Sequence, residues 1–299
     1  MALHRLNRIT LGVPNVDETC AYYRDFGLAE VGNGRFATRY GGEQLAIVHA
    51  PRRRLIELGV GANDADDLGR IAANLTRLGL ESARTAGELR AIEPSTRTEV
   101  VVSVTARVQP GPEPATVFNG PGRGERIGAR AAGAVSADRA RPRKLGHLVL
   151  GSTDAAAARR FFVEGLGFKV SDEVGDVGAA FLRCSSDHHN VLVQPAPVSF
   201  LHHTAWEVGD VDEIGRGAAR LISADASRHL WGLGRHCVGS NFFWYLRDPA
   251  GNFTEYYSDL DVIVDDELWK PEVWSGLKSL MAWGPSVPPE FLMPPDLLG

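Results

Sequence analysis

The sequence predicts an α+β fold made of four βαβββ units, paired into two domains. Three observations carry that expectation. First, four apolar, strand-like segments each reach an Asp or Asn seven residues after a central position: Arg8 to Asn15, Glu57 to Asp64, His147 to Asp154 and His203 to Asp210. Side chains of these two types accept the orphan backbone N–H groups at a helix N-terminus, so each segment reads as a strand entering a helix. Second, the helices that follow are related across the chain. Asp64-Ala-Asp-Asp-Leu-Gly-Arg70 resembles Asp210-Val-Asp-Glu-Ile-Gly-Arg216, and Tyr22-Tyr-Arg-Asp-Phe-Gly-Leu28 resembles Phe161-Phe-Val-Glu-Gly-Leu-Gly-Phe168. Third, alternating apolar stretches such as 178–184 and 190–193 follow the helices and read as strands. The unit is therefore strand, helix and then about three strands, repeated at roughly 50 to 60 residues.

The first two units are expected to pair into an N-terminal domain, residues 1–110, and the last two into a C-terminal domain, residues 144–260. Between them, residues 111–143 are rich in Gly, Pro, Ala and Arg, with Gly120-Pro-Gly-Arg-Gly124 at the centre, and read as an exposed connection. Residues 261–299 form a tail containing Asp265-Asp-Glu-Leu-Trp269, Met281-Ala-Trp-Gly-Pro285 and several prolines. It is expected to drape over the C-terminal domain as short helical and extended pieces.

Composition removes several function classes. A chain of 299 residues with 44% hydrophobic content has material for a large core and about two domains. Its net charge of −5 is dispersed, which gives no basis for binding nucleic acid or a membrane surface. No apolar run approaches the ~20 residues that span a bilayer, and the N-terminus enters a strand-like segment directly. Cys20, Cys184 and Cys237 are odd in number and widely spaced, so they are expected to stay reduced in the cytoplasm.

The two halves differ in chemistry. Seven of the nine histidines and all six tryptophans lie beyond residue 140. His147 and His203 stand at the same point of the last two units, so their imidazoles are expected to converge on one centre. Glu255, in Asp248-Pro-Ala-Gly-Asn-Phe-Thr-Glu255, offers a third donor. Two His and one carboxylate form the facial set that leaves positions open on non-haem Fe(II), and these donor types also accept Mn(II). In the first half Arg8 and Glu57 occupy the matching points. They are expected to pair with each other where the other half holds its metal.

The run His236-Cys-Val-Gly-Ser-Asn-Phe-Phe-Trp-Tyr245-Leu-Arg-Asp-Pro-Ala-Gly-Asn-Phe-Thr-Glu255 resembles the signature of type I extradiol catechol dioxygenases, members of the vicinal oxygen chelate superfamily with its glyoxalase-like fold. Trp244 departs from the aliphatic residue or Phe usual there. The resemblance is clearest from Leu145 to Tyr257 and extends, through the four-unit layout, to nearly the whole chain; linker and tail match loosely. It implies that His147, His203 and Glu255 are the metal ligands, for Fe(II) with Mn(II) as the alternative. It also implies that His189 is the acid–base residue and that His236 and Tyr245 hydrogen-bond the substrate oxygens. The implied reaction inserts both atoms of O2 into a catechol-type diol, giving a muconic semialdehyde-type product, in an even-numbered homo-oligomer.

Two histidine pairs need a choice, because neighbours along a strand face opposite ways. His189 directly precedes an apolar strand and is preferred to His188. His202 is expected to face away from His203 and to be structural. Phe243 shares a face with Tyr245 and is a candidate for the ring pocket. Trp206, Trp231 and Trp269 are further candidates, with core packing explaining them equally well. His4, His49 and His229 read as surface or packing residues, and no cysteine has an activating partner in view. Two other readings compete: a metal-dependent isomerase or lyase of the glyoxalase kind, which generally presents four protein ligands, and a non-catalytic small-molecule-binding member of the same superfamily.

Overall fold

The computed structural model describes residues 2–113, 116–136 and 138–294. Residues 1, 114–115, 137 and 295–299, which belong to the expected first domain, linker and tail, lie outside the described residues. The first half builds an eight-stranded sheet from β1 (Leu3–Val13), β2 (Ala29–Gly32), β3 (Arg35–Thr38), β4 (Gly42–His49), β5 (Arg54–Ala62), β6 (Ser82–Arg84), β7 (Glu88–Ile92) and β8 (Glu99–Val104). Helix α1 (Val16–Asp25) follows β1 and α2 (Ala65–Arg77) follows β5; α3 (Ala132–Val135) lies in the connection. The second sheet holds β9 (Lys144–Ser152), β10 (Lys169–Val174), β11 (Ala179–Arg183), β12 (Val191–Pro195), β13 (Phe200–Glu207), β14 (His229–Arg235), β15 (Phe242–Arg247) and β16 (Phe253–Ser258). Its helices are α4 (Ala155–Arg160) and α5 (Val211–Ala224), and the tail adds β17 (Val273–Trp274) and α6 (Pro289–Leu292).

The strand orders are β2-β3-β4-β1-β5-β8-β7-β6 and β14-β15-β16-β13-β9-β12-β11-β10-β17. In each, the first strands of two units pair antiparallel at the centre, β1 with β5 and β9 with β13. Each central strand is flanked by the parallel last strand of its own unit. The four βαβββ units are thus present, two to a sheet.

The helix starts follow from capping. Asp64, Asp154 and Asp210 each accept the backbone N–H three residues on, at 2.9, 2.9 and 2.8 Å. Asn15 differs. Its amide donates to the Pro249 carbonyl in the other half (2.9 Å) and its oxygen accepts from Thr19, so α1 begins without a side-chain cap. The second copy of the first helix has one residue more between capping position and closing glycine (Asn15 to Gly27, Asp154 to Gly167). A π-helical stretch, Phe161–Leu166, absorbs it.

Alternation gives the second sheet two unlike faces. Leu148, Leu150, Leu182, Val191, Val193, Trp206 and Tyr256 enter a core that continues into the first half. Phe26 of the first half stacks on Tyr256 at 4.0 Å, and the Tyr256 hydroxyl donates to the Phe26 carbonyl (2.6 Å). The other face carries His147, Glu255 and a separate apolar group of Val149, Val174, Ala179, Phe181, Leu192 and Val238. Gly146 is required beside His147, since a Cβ there would lie 1.8 Å from the buried Tyr257 hydroxyl.

In the first half Arg8 Nε donates to Glu57 Oε1 at 2.7 Å, as the repeat predicts. The Arg8 side chain is 43% exposed, so the pair is a weak contributor to stability. Glu57→Ala is expected to cost no more than about 1 kcal/mol and to leave bound metal unchanged. Thermal melts and metal analysis check this; loss of metal would contradict the assignment of the centre to the second half.

Candidate metal and active site

His147 sits on β9, His203 on β13 and Glu255 on β16, three neighbouring strands, so one sheet face delivers all three. Parallel pairing sets Ala205 beside Glu255 and antiparallel pairing sets Ala205 beside His147, leaving only a small side chain between the donors. The ligand atoms lie within 4.8 Å of one another and all three residues are buried. Glu255 Oε2 is 3.1 Å from His147 Nε2 and 3.4 Å from His203 Nε2. Its position depends on the preceding turn, where Asp248 accepts the backbone and amide N–H groups of Asn252, both at 2.8 Å.

These residues fit a divalent metal. Nε2 of His203 is buried at the centre and has no hydrogen-bond partner, the position a metal ion would fill. Burial by itself would drive Glu255 toward its neutral form, but the neighbouring imidazoles, above all His147 at 3.1 Å, outweigh it and hold the carboxyl well below its usual range. Burial also depresses the His203 pKa, which keeps that imidazole neutral and able to ligate. Among the described residues, this is the one group of three or more His, Cys, Asp or Glu donors placed this closely.

The other predicted residues surround the same point. His189 precedes β12; its ring centroid lies 4.2 Å from that of His147, and burial followed by the neighbouring imidazoles lowers its pKa well below the ordinary value. His236 Nε2 is 3.0 Å from the Tyr245 hydroxyl and 4.0 Å from Glu255 Oε1. Burial pushes the His236 pKa down to about 4 and raises that of Tyr245 far above normal. His147, His203, His189, His236 and Tyr245 line a cavity of about 320 Å³, closed otherwise by Val149, Val174, Phe181, Leu192, Val238 and tail residues.

Several expectations are corrected. His202 does not face away from His203: their Nδ1 atoms are 2.8 Å apart and both rings border the cavity. The register of β13 against β9 skips between Leu201 and His203, and such a bulge brings consecutive residues to one side of the sheet. Phe243 stacks beneath His236 (4.1 Å between centroids) and supports it without lining the cavity. None of the three tryptophans lines it either. Trp206 lies in the shared core, Trp231 stacks on Tyr245 at 5.6 Å and Trp269 lies against His188. Trp244, the departure from the signature, points to the core side and donates to His229 (3.1 Å). His4 is buried against the Ala62 and Thr105 carbonyls, away from the centre.

Sequence reasoning missed Asn241 and the tail. Asn241 Nδ2 donates to Glu255 Oε1 at 3.1 Å and so fixes the carboxylate. It lies inside the signature run, where an amide directly before an aromatic strand is a readable signal. Leu280, Phe291 and Leu292 reach the cavity from the tail, for which periodicity gives no hint. A larger groove of about 790 Å³ between the halves is remote from this chemistry. Two of its cations are matched by carboxylates, Arg143 by Glu113 and Glu213 and Lys144 by Asp187 and Glu207.

A paired-unit fold with a three-donor centre on one half defines a class. Residues 144–256 match the family described as the Glyoxalase/Bleomycin resistance protein/Dioxygenase superfamily. The whole chain shares its fold with the Mn(II)-bound glyoxalase from Novosphingobium aromaticivorans: TM-score 0.78, 26% identity, 97% of this chain and 94% of that one covered. Among curated relatives, Metapyrocatechase 2 of Cupriavidus necator is 36% identical over 191 residues, 62% of this chain and 59% of that protein. Biphenyl-2,3-diol 1,2-dioxygenase of Pseudomonas sp. (strain KKS102) is 26% identical over 267 residues, 84% of this chain and 87% of that protein. The match to the Cupriavidus protein therefore spans under two thirds of its length.

Proposed function

We propose that this chain is an extradiol dioxygenase that opens a catechol-type ring beside its two hydroxyls, with Fe(II), or Mn(II) in its place, held by His147, His203 and Glu255. The observation that carries the reading is the meeting of three metal donors with three proton-handling side chains, His189, His236 and Tyr245, at one largely apolar cavity that all of them but Glu255 line. The relatives named metapyrocatechase and biphenyl-2,3-diol 1,2-dioxygenase support it. A divalent metal bound there supplies open coordination positions for a diol and O2 and a path for electrons between them.

The chain's own residues do the rest. His189, neutral in its buried setting, accepts a hydroxyl proton from the diol and returns it as the ring opens. The His236–Tyr245 pair orients the diol oxygens, and Trp231 stacked on Tyr245 holds that hydroxyl in place. Val149, Val174, Phe181, Leu192 and Val238 exclude water from the ring and favour apolar substituents. No Lys or Arg lines the cavity among the described residues, so a substituent carboxylate finds no partner there. Three free, unpaired cysteines support a reducing, cytoplasmic setting. An isomerase reading has the likeness to the glyoxalase structure in its favour, yet only three donors converge among the described residues.

Oxygen uptake by anaerobically metal-loaded protein against a panel of catechols tests the proposal. Uptake with a yellow ring-opened product is expected. Alkyl- and aryl-substituted catechols should surpass carboxylate-bearing ones in kcat/KM, each buried methylene being worth about 0.8 kcal/mol. Absence of uptake with every catechol would reject the dioxygenase reading, and preference for the carboxylates would reject the apolar pocket.

A further inference from the structure

The site's histidines hang on three hydrogen-bond chains, and each chain ends on the C-terminal tail or on a group the tail braces. In the first, the Phe291 carbonyl lies 2.7 Å from His202 Nε2, and His202 Nδ1 lies 2.8 Å from His203 Nδ1. In the second, the Asp172 carboxylate lies 3.3 Å from His188 Nε2, and His188 Nδ1 lies 3.0 Å from His189 Nδ1. Asp172 is itself held by the tail, through the Glu272 backbone N–H (2.8 Å) and the Trp274 indole N–H (3.0 Å). In the third, the Leu280 carbonyl meets His236 Nδ1, whose Nε2 meets the Tyr245 hydroxyl.

Hydrogen-bond roles along these chains are forced from the outer end. Carbonyl and carboxylate oxygens only accept, so Nε2 of His202, Nε2 of His188 and Nδ1 of His236 must carry the proton. A neutral imidazole has one N–H. The Nδ1 atoms of His202 and His188 are therefore acceptors, and the Nδ1 atoms of His203 and His189 must donate to them. That leaves Nε2 of His203, His189 and His236 without a proton: His236 Nε2 accepts from the Tyr245 hydroxyl, and His203 Nε2 faces Glu255 Oε2 at 3.4 Å without forming a hydrogen bond to it. It is the opposite tautomer from the one a free imidazole favours in water, so the fold must impose it.

We propose that the C-terminal tail sets the tautomers of the site, with His202 and His188 as positioning residues that free Nε2 of His203 for the metal and Nε2 of His189 for the substrate proton. The tail is then part of the catalytic assembly, with Phe291, Leu280 and the pair Glu272–Trp274 as its three anchors. The tautomer pattern needs no metal; its use at the metal rests on the function proposed above.

Nitrogen-15 correlation spectra of the metal-free full-length chain test this directly. Protons are expected on Nδ1 of His189, His203 and His236 and on Nε2 of His188 and His202. An Nε2–H form of His203 or His189, or a doubly protonated His188 or His202, would overturn the proposal. His202→Phe should return His203 to a mixture of tautomers and weaken Mn(II) binding by about 10- to 100-fold. His202→Gln, whose amide both donates and accepts, should recover most of that loss. An unchanged His203 tautomer in His202→Phe would also overturn the proposal. Failure of the wild-type chain to bind Mn(II) or Fe(II) with the expected tautomers in place would instead sink the metal reading and leave the relay standing.

Discussion

Glu255→Ala is expected to purify with almost no bound metal, against about one ion per chain for the parent, and to have no measurable ring-cleaving activity. The reason is structural as well as chemical. Glu255 supplies the only carboxylate among the three converging donors, and it sits within reach of both His147 and His203. Removing it leaves only two imidazoles, and it strands the buried Asn241 amide, whose proton currently reaches Glu255 Oε1. An unsatisfied buried donor costs about 1–3 kcal/mol, so a lower melting temperature should accompany the loss. Glu255→Gln keeps the Asn241 bond and should regain most of that stability without regaining metal. Metal analysis paired with thermal melts separates these effects. Stoichiometric metal and normal turnover in Glu255→Ala would reject the ligand set.

The second large effect is expected at His189. His189→Ala should keep its metal and its KM while kcat falls roughly 10²- to 10⁴-fold, the range for one positioned acid–base group. The separation of effects follows from position. The His189 ring packs on those of His147 and Phe181, but His189 is not among the three converging donors. Its neighbour offers the control. His188 is fully buried against Asp172 and Trp269 and does not line the cavity, so it cannot take over the proton. A rate near that of the parent would reject the acid–base role, and loss of metal would mean that His189 is itself needed to hold the centre.

Much of this was legible in the chain. Capping is a local event between an Asp side chain and an N–H three residues on, so a repeated spacing of Asp behind a strand declares a repeated unit. The pairing of Arg8 with Glu57 followed by the same logic, because matching points of two units in one sheet become neighbours. His202 shows where the reading failed. Alternation assumes an unbroken ladder, and the skip in register beside His203 is set by backbone pairing with β9, which no side-chain pattern records. Asn15 failed for a related reason: the partner that draws its amide away, the Pro249 carbonyl, lies in the other half.

The sequence by itself determined the four βαβββ units, the confinement of the His and Glu donors to the second pair, and the apolar alternation that divides each strand into two faces. These are local or periodic properties, fixed by capping chemistry and by the two-residue repeat of a strand. Tertiary structure alone decided that His202 and His203 lie side by side, that the tryptophans support the site without lining it, and that the tail closes the cavity. Those outcomes depend on a bulge, on ring stacking between distant segments and on the carbonyls of Leu280 and Phe291. A backbone carbonyl is the same group at every residue, so its partner is chosen by the fold and leaves no mark in the sequence.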